Sequence, residues 1–184
     1  MNLSPSIIKI VLCAAAFLLH AGVVMKMSPT ADERDHYLYG MRVISGDTSR
    51  VRQQDDSKMP VSALNAAAGM ASRGWERLVE PLHAARMVTV LFSLGLMMLT
   101  ARWSEELYGP AAGVLACVLY ALSPQMLAHG TLITTDLYQA LAVVAVAYTH
   151  WRWARSWSAK RGVAAGLVWE CRCWPSTVAF CCFP

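Results

Sequence analysis

The sequence predicts an all-α, polytopic transmembrane helical protein with a long external loop that carries amphipathic surface helices. Three observations predict it. Hydrophobic residues fill 56% of the 184 positions and charged residues 15%, against about 45–50% and 25% in soluble domains. The apolar residues gather into four runs separated by polar segments, and Lys and Arg are shared unequally among the connections, the asymmetry that sets orientation in a bilayer. A length of 184 residues suits roughly one domain. Disorder and an ordinary cytosolic globule are disfavoured by this balance, and so is a nucleic-acid partner. The net charge is only +4, and the bases form no stripe with interleaved aromatics, as a nucleic-acid face would require.

The first span is expected at about residues 7–25, an apolar run flanked by Lys9 and interrupted by His20. A cleaved signal peptide is the rival reading. Ala14, Ala15 and Ala16 sit mid-run, however, and Met25-Lys26-Met27 is a poor cleavage site, so the run reads as an uncleaved span. An external loop follows at 27–83. Residues 30–86 hold eight acids and eight bases, a neutral polar segment. Within it, Asp32 to Ile44 places Leu38, Met41 and Ile44 near helical spacing, with Gly46-Asp47 as the stop. Pro60 opens a second helical run through Val61, Leu64, Ala68, Trp75, Leu78 and Val79, closed by Pro81. Both read as amphipathic helices on the membrane surface.

The remaining spans are expected at about 84–101, 108–123 and 137–152. Arg86 lies near the start of the second, Arg102 at its end, and Tyr148, Trp151 and Trp153 near the end of the fourth, as an aromatic belt would place them. The loop from Ser123 to Asp136 has no Lys or Arg, whereas Arg152, Arg155, Lys160 and Arg161 follow the fourth span. The positive-inside pattern then puts the N-terminus and the Arg102 turn in the cytoplasm, and both the 27–83 loop and the 123–136 loop outside. The expected location is the cell (inner) membrane, multi-pass.

Six cysteines do not read as a disulfide framework. Cys13 and Cys117 lie in apolar runs, where a lone Cys acts as a small hydrophobe, and Cys171, Cys173, Cys181 and Cys182 crowd the last fourteen residues. Cys171-Arg172-Cys173 is too short for C-x-x-C and no histidine follows, which argues against zinc.

Chemistry-bearing residues are few. Asp32 and Glu33 begin the external loop, and His36 shares their helix face; capping through the helix dipole is the plainer reading of the pair. Asp136, the lone carboxylate between Glu106 and Glu170, stands where the fourth span begins, a position that demands a cap or a wet cavity. It would share its side of the membrane with Asp32. Lys58, just after Asp55 and Asp56, is either a solvated loop charge or a cation for a phosphate. His129 reads as an interfacial side chain.

These residues resemble glycosyltransferase family 39, the GT-C membrane sugar transferases that include protein O-mannosyltransferases and the lipid A aminoarabinose transferase. The matching features are Asp32-Glu33-x-x-His36-x-x-x-Gly40, Lys58-x-Pro60, Arg86 and Leu107-Tyr108-Gly109. To these are added Leu119-Tyr120-Ala121-Leu122-Ser123-Pro124, Leu127-Ala128-His129-Gly130 and Thr134-Thr135-Asp136. The resemblance covers about residues 5–168 and implies transfer of a sugar from a polyprenyl-phosphate donor to a protein or lipid acceptor hydroxyl at the outer face of the membrane. It implies Asp32 as the base. Glu33 and Asp136 would bind acceptor, sugar or a divalent cation, His36 would assist substrate binding, and Lys58 would stabilise the departing phosphate.

The chain departs from the family in length and in its end. Residues 1–168 match the N-terminal transmembrane part of such an enzyme. In 169–184, Trp169-Glu170-Cys171-Arg172-Cys173-Trp174-Pro175 replaces the apolar helix expected after Gly162 and Gly166. This reads as a frameshifted or truncated product, an N-terminal fragment not expected to turn over by itself. The alternative reading is a small non-enzymatic integral membrane protein, an assembly or anchoring subunit, in which Asp32 and Asp136 only cap helices.

Overall fold

A computed structural model describes residues 4–47, 49, 60–72 and 80–180, those from 170 onward by backbone alone. The described residues are all-helical, with no strand among them. Local chemistry sets most boundaries. Helix α1, Pro5–Lys26, starts with Pro5 in its first turn, where a missing N–H costs nothing, and the Ser4 hydroxyl accepts from Ile7 N at 3.4 Å. Helix α2, Ala31–Ser45, is opened by a capping box of Thr30 and Glu33 and closed by Gly46 at φ 73°, the left-handed position that glycine takes most readily. Helix α3 is Ser62–Ala71.

Helix α4, Pro81–Tyr108, is the longest at 28 residues, and Gly109 at φ 91° separates it from α5, Pro110–Ala121. The six-residue α6, Pro124–His129, is capped by Ser123, α7 is Asp136–Arg155, and α8 is Ala159–Phe180. Among the described residues two helices are long and apolar enough to cross a membrane, Pro5–Lys26 and Pro81–Tyr108. The run expected to span at 108–123 forms a helix of only 12 residues, about 18 Å at 1.5 Å per residue and short of a hydrocarbon core of about 30 Å.

The arrangement is up and down around α4. Lys9 pairs with Glu105, bringing the start of α1 to the end of α4. At the other end Arg86 donates to backbone carbonyls of Val24, Met27 and Ser28. Helix α7 runs along α4 in the same direction, with Tyr138 beside Thr89 and Tyr148 beside Glu106. Ala16, Leu96, Met97, Ala101, Cys117, Tyr120 and Leu137 form the apolar core between these helices. Cys13 and Cys117 are free thiols. Two ends result, an Arg86 end, where α2, α6 and the segment before α7 gather, and a Glu106 end.

Helix α2 has the expected extent. Leu38 and Ile44 are exposed, while Glu33, His36 and Gly40 are buried. A β-carbon on Gly40 would overlap the Ser62 carbonyl and press the Ala66 methyl, so α2 and α3 cross with their backbones in near contact. Gly→Ala inside a helix ordinarily gains about 0.5–1 kcal/mol. Here the obstacle is backbone that cannot rotate aside, and overpacking of this kind costs about 1–3 kcal/mol. Gly40→Ala is therefore expected to destabilise the protein, measured as a lower denaturant midpoint in detergent micelles; a raised midpoint would show the crossing to be looser than this. The second loop helix ends at Ala71, and Trp75, Leu78 and Val79 lie outside the described residues. Pro81 opens α4, so it begins the next helix where the sequence reading had it closing the last.

Candidate functional site

The Arg86 end is organised by one buried ion pair. Arg86 and Glu33 both have side chains 0% exposed. The guanidinium grips the carboxylate with both edges, Nε to Oε1 at 2.8 Å and Nη2 to Oε2 at 2.7 Å. Its other donors go to Met27 O at 2.7 Å, Ser28 O at 3.0 Å and Val24 O at 3.4 Å. All five N–H groups of the guanidinium are thus used. Glu33 is equally occupied. Its Oε1 also accepts from Ile133 N at 3.2 Å, and its Oε2 from the backbone N and the hydroxyl of Thr30, each at 3.1 Å. A bidentate pair with every remaining donor and acceptor used is the geometry in which burial of two charges is sustainable. It ties the end of α1, the starts of α2 and α4 and the segment before α7 into one unit.

Burial acting by itself pushes the Glu33 carboxyl up, yet the hydrogen bonds from Arg86, Thr30 and Ile133 and the charge of Arg86 together hold it below its ordinary value. A carboxylate depressed in the folded state adds stability above its unfolded pKa, near 4.5, and loses it as pH falls through the lower folded value. Stability is therefore expected to fall in acid below about pH 4.5. Glu33→Gln should flatten that slope, read from denaturant midpoints across pH; an unchanged acid slope in the variant would assign it to other carboxylates.

Asp32 follows the cap without taking part in it. Its side chain is 65% exposed and its Oδ2 lies 3.5 Å from Nε2 of the buried His36. Thr30 and Glu33 form the capping box, and Asp32 stands in the first turn of α2, where the helix dipole favours an acid. Asp136 occupies the first turn of α7 with its side chain 64% exposed, 3.5 Å from His129 Nδ1. The Glu33 to Ile133 hydrogen bond joins positions 100 apart in the chain. Asp32 and Asp136 thereby stand at the same end of the bundle, each an exposed carboxylate beside an imidazole. A carboxylate so placed can take a proton from a hydroxyl in reach, with its neighbouring imidazole to share charge. Lys58 lies outside the described residues. An apolar recess of about 380 Å³ opens beside α2, between Pro29, Arg34, Tyr37, Pro81 and Leu82.

A divalent cation on Glu33 does not fit, since Arg86, Thr30 and Ile133 occupy both carboxylate oxygens. Among the described residues no three His, Cys, Asp or Glu side chains gather as a metal set. Sequence reasoning noted Arg86 at a span boundary and among the family's matching features without giving it a partner, and assigned no role to the polar residues one and two turns further along α4. Asn65 Nδ2 donates to Thr89 Oγ1 at 2.9 Å and to Ala85 O at 2.8 Å, and Tyr138 donates to Asn65 Oδ1 at 2.8 Å. Thr89 closes the ring by donating to Tyr138 OH at 3.0 Å. Deeper still, His20 Nδ1 lies 2.8 Å from Ala16 O, which can only accept, so Nδ1 carries the proton and Nε2 accepts from Ser93 at 3.2 Å. Tyr120 then donates to Ser93 at 3.0 Å. The available signal was the spacing Arg86, Thr89, Ser93, which puts three polar side chains on one face of an apolar helix. Gly130 fits against this network, because a β-carbon there would stand 2.7 Å from His20 Nε2 and 2.6 Å from Ser93 Oγ.

Compared with protein-family models, curated proteins and solved structures, the chain matches none.

Proposed function

We propose that this chain is a multi-pass inner-membrane protein, N-terminus cytoplasmic, that supplies the carboxylate-bearing outer face of a glycosyltransferase of the family 39 type. The observation that carries the reading is the Glu33–Arg86 clamp. It commits a buried ion pair to holding the start of α2, and the residue held in the open beside it is Asp32. In the reaction so assigned, Asp32 accepts the proton of an acceptor hydroxyl as its oxygen bonds to the anomeric carbon. The bond from that carbon to the phosphate oxygen breaks, and polyprenyl phosphate leaves with the electron pair. One base and no carboxylate nucleophile suit a single inverting displacement. Arg34 at the recess and Lys58 are cations for the departing phosphate, where fixed positive charge is most useful, and the apolar recess suits the first units of the prenyl chain. Asp136, with His129, is assigned to the sugar or acceptor.

The membrane part of the reading draws on the two long apolar helices and on the arginines at the Glu106 end. Helix α7, at 20 residues, has the length to cross at about 30 Å, and α5 with α6 completes a third crossing. The reading of a non-enzymatic assembly or anchoring subunit is favoured by one observation, that Glu33 is wholly spent on structure. Donor binding separates the two. A polyprenyl-phosphate sugar carrying a diazirine on its first prenyl unit is expected to label peptides containing Pro29 to Tyr37 and Glu80 to Leu82, with labelling competed by unlabelled donor. Labelling that is absent, or indifferent to competitor, leaves the anchoring reading in possession.

A further inference from the structure

The Glu106 end holds a second hollow, of about 400 Å³, lined by Glu106, Trp151, Arg152, Arg155, Ser156 and Arg161. Three guanidinium groups therefore face one carboxylate. That carboxylate is already engaged, since its Oε1 accepts from Arg102 at 2.8 Å and from Tyr148 at 2.9 Å. Among the described residues no carboxylate stands within ion-pair distance of Arg155 or Arg161. The helix dipole accounts for only half of this cluster. Arg152 and Arg155 in the last turn of α7 meet its negative end favourably, whereas Lys160 and Arg161 in the first turn of α8 stand at a positive end, where cations are disfavoured.

Aromatic rings hold the guanidinium groups in place. Arg155 Cζ lies 5.4 Å from the Trp151 ring centre and Arg152 Cζ 5.6 Å from that of Tyr148, within the range of cation–π attraction. Ring stacking limits the freedom that an anion would otherwise have to remove on binding. Trp157 is exposed beside the same turn and packs on Trp153 at 5.2 Å, an arrangement suited to the headgroup level of a bilayer. The planar fork of arginine matches phosphate oxygens in pairs.

We propose that this hollow binds a phosphate group, presented by an anionic phospholipid of the cytoplasmic leaflet or free in solution. The proposal rests on the membrane reading given above and on no part of the sugar-transfer reading. Arg155 and Arg161 would hold the phosphate oxygens, Arg152 would add charge from the side, and Trp151 and Trp157 would border the headgroup.

The test is native mass spectrometry of the purified chain in neutral detergent, with phosphatidylglycerol and phosphatidylcholine of identical acyl chains in equal amounts. Wild type is expected to retain phosphatidylglycerol preferentially. The doubly substituted Arg155→Gln, Arg161→Gln variant should lose that preference by about tenfold or more, as expected on removing two cations from an anionic headgroup. Both side chains are exposed, so helix content by circular dichroism should be unchanged. Arg155→Lys with Arg161→Lys should restore part of the preference through charge. Millimolar inorganic phosphate that displaces the lipid identifies free phosphate as a ligand; no displacement identifies the lipid. Equal retention of the two lipids by wild type together with no phosphate binding, or a preference that survives in the glutamine variant, overturns the proposal. Alkaline carbonate extraction of the membranes from which the chain is purified reads the membrane assignment separately, and so tells its failure from that of the phosphate site.

Discussion

Arg86→Leu is expected to cost about 3–5 kcal/mol of folding stability, the range found when one member of a buried ion pair is removed. The effect is large because five donors vanish together. Glu33 would be left as a charge with no counter-ion in a site where its side chain is 0% exposed, and the carbonyls of Met27 and Ser28 would lose the donors now at 2.7 and 3.0 Å. Each buried polar group left unpaired costs about 1–3 kcal/mol. Arg86→Lys should recover only part of the loss, because one ammonium cannot span two carboxylate oxygens and three carbonyls. The double variant Glu33→Leu, Arg86→Leu should be less damaged than Arg86→Leu, since it removes the orphaned charge with its partner. Denaturant unfolding in micelles measures all three. A loss below about 1 kcal/mol for Arg86→Leu would place it with surface ion pairs and contradict the burial on which the clamp rests.

Elements were legible in the sequence only in part, even where backbone chemistry decides them. The stop at Gly46-Asp47 was read and closes α2, whereas Pro81, read as closing a helix, opens α4, and the capping box at Thr30 went unread. Leu38 and Ile44 are exposed, as an amphipathic surface helix would have them; what the spacing did not show is that the opposite side buries Glu33, His36 and Gly40. The site shows the same division. Asp32, Glu33, His36 and Asp136 were singled out by their places at the expected span ends, by helical spacing and by the family motif. That Glu33 is spent on Arg86 was not legible, because the contact joins positions 53 apart, although the Thr30-x-x-Glu33 capping pattern already sets Glu33 apart from Asp32. His129 was read as an interfacial side chain, and its position 3.5 Å from Asp136 depends on the turn that joins α6 to α7.

The commitment of Glu33 to Arg86 makes Asp32→Asn the most informative substitution at the Arg86 end. On the sugar-transfer proposal, transfer by a complete enzyme that includes this segment is expected to fall by about 10²–10⁴ in Asp32→Asn, the usual worth of a general base, while labelling by the polyprenyl-phosphate donor stays unchanged. Stability should also stay unchanged. The exposed side chain makes no cap contact, since Thr30 and Glu33 form the box, and Asn preserves shape while removing the ability to take a proton. A purely structural Asp32 would give the opposite pair of results, a lowered unfolding midpoint with whatever rate remains per folded molecule intact. Equal non-zero rates per folded molecule in the two proteins would take Asp32 out of the chemistry. The Glu33–Arg86 clamp would then be a fold determinant with no reaction to serve.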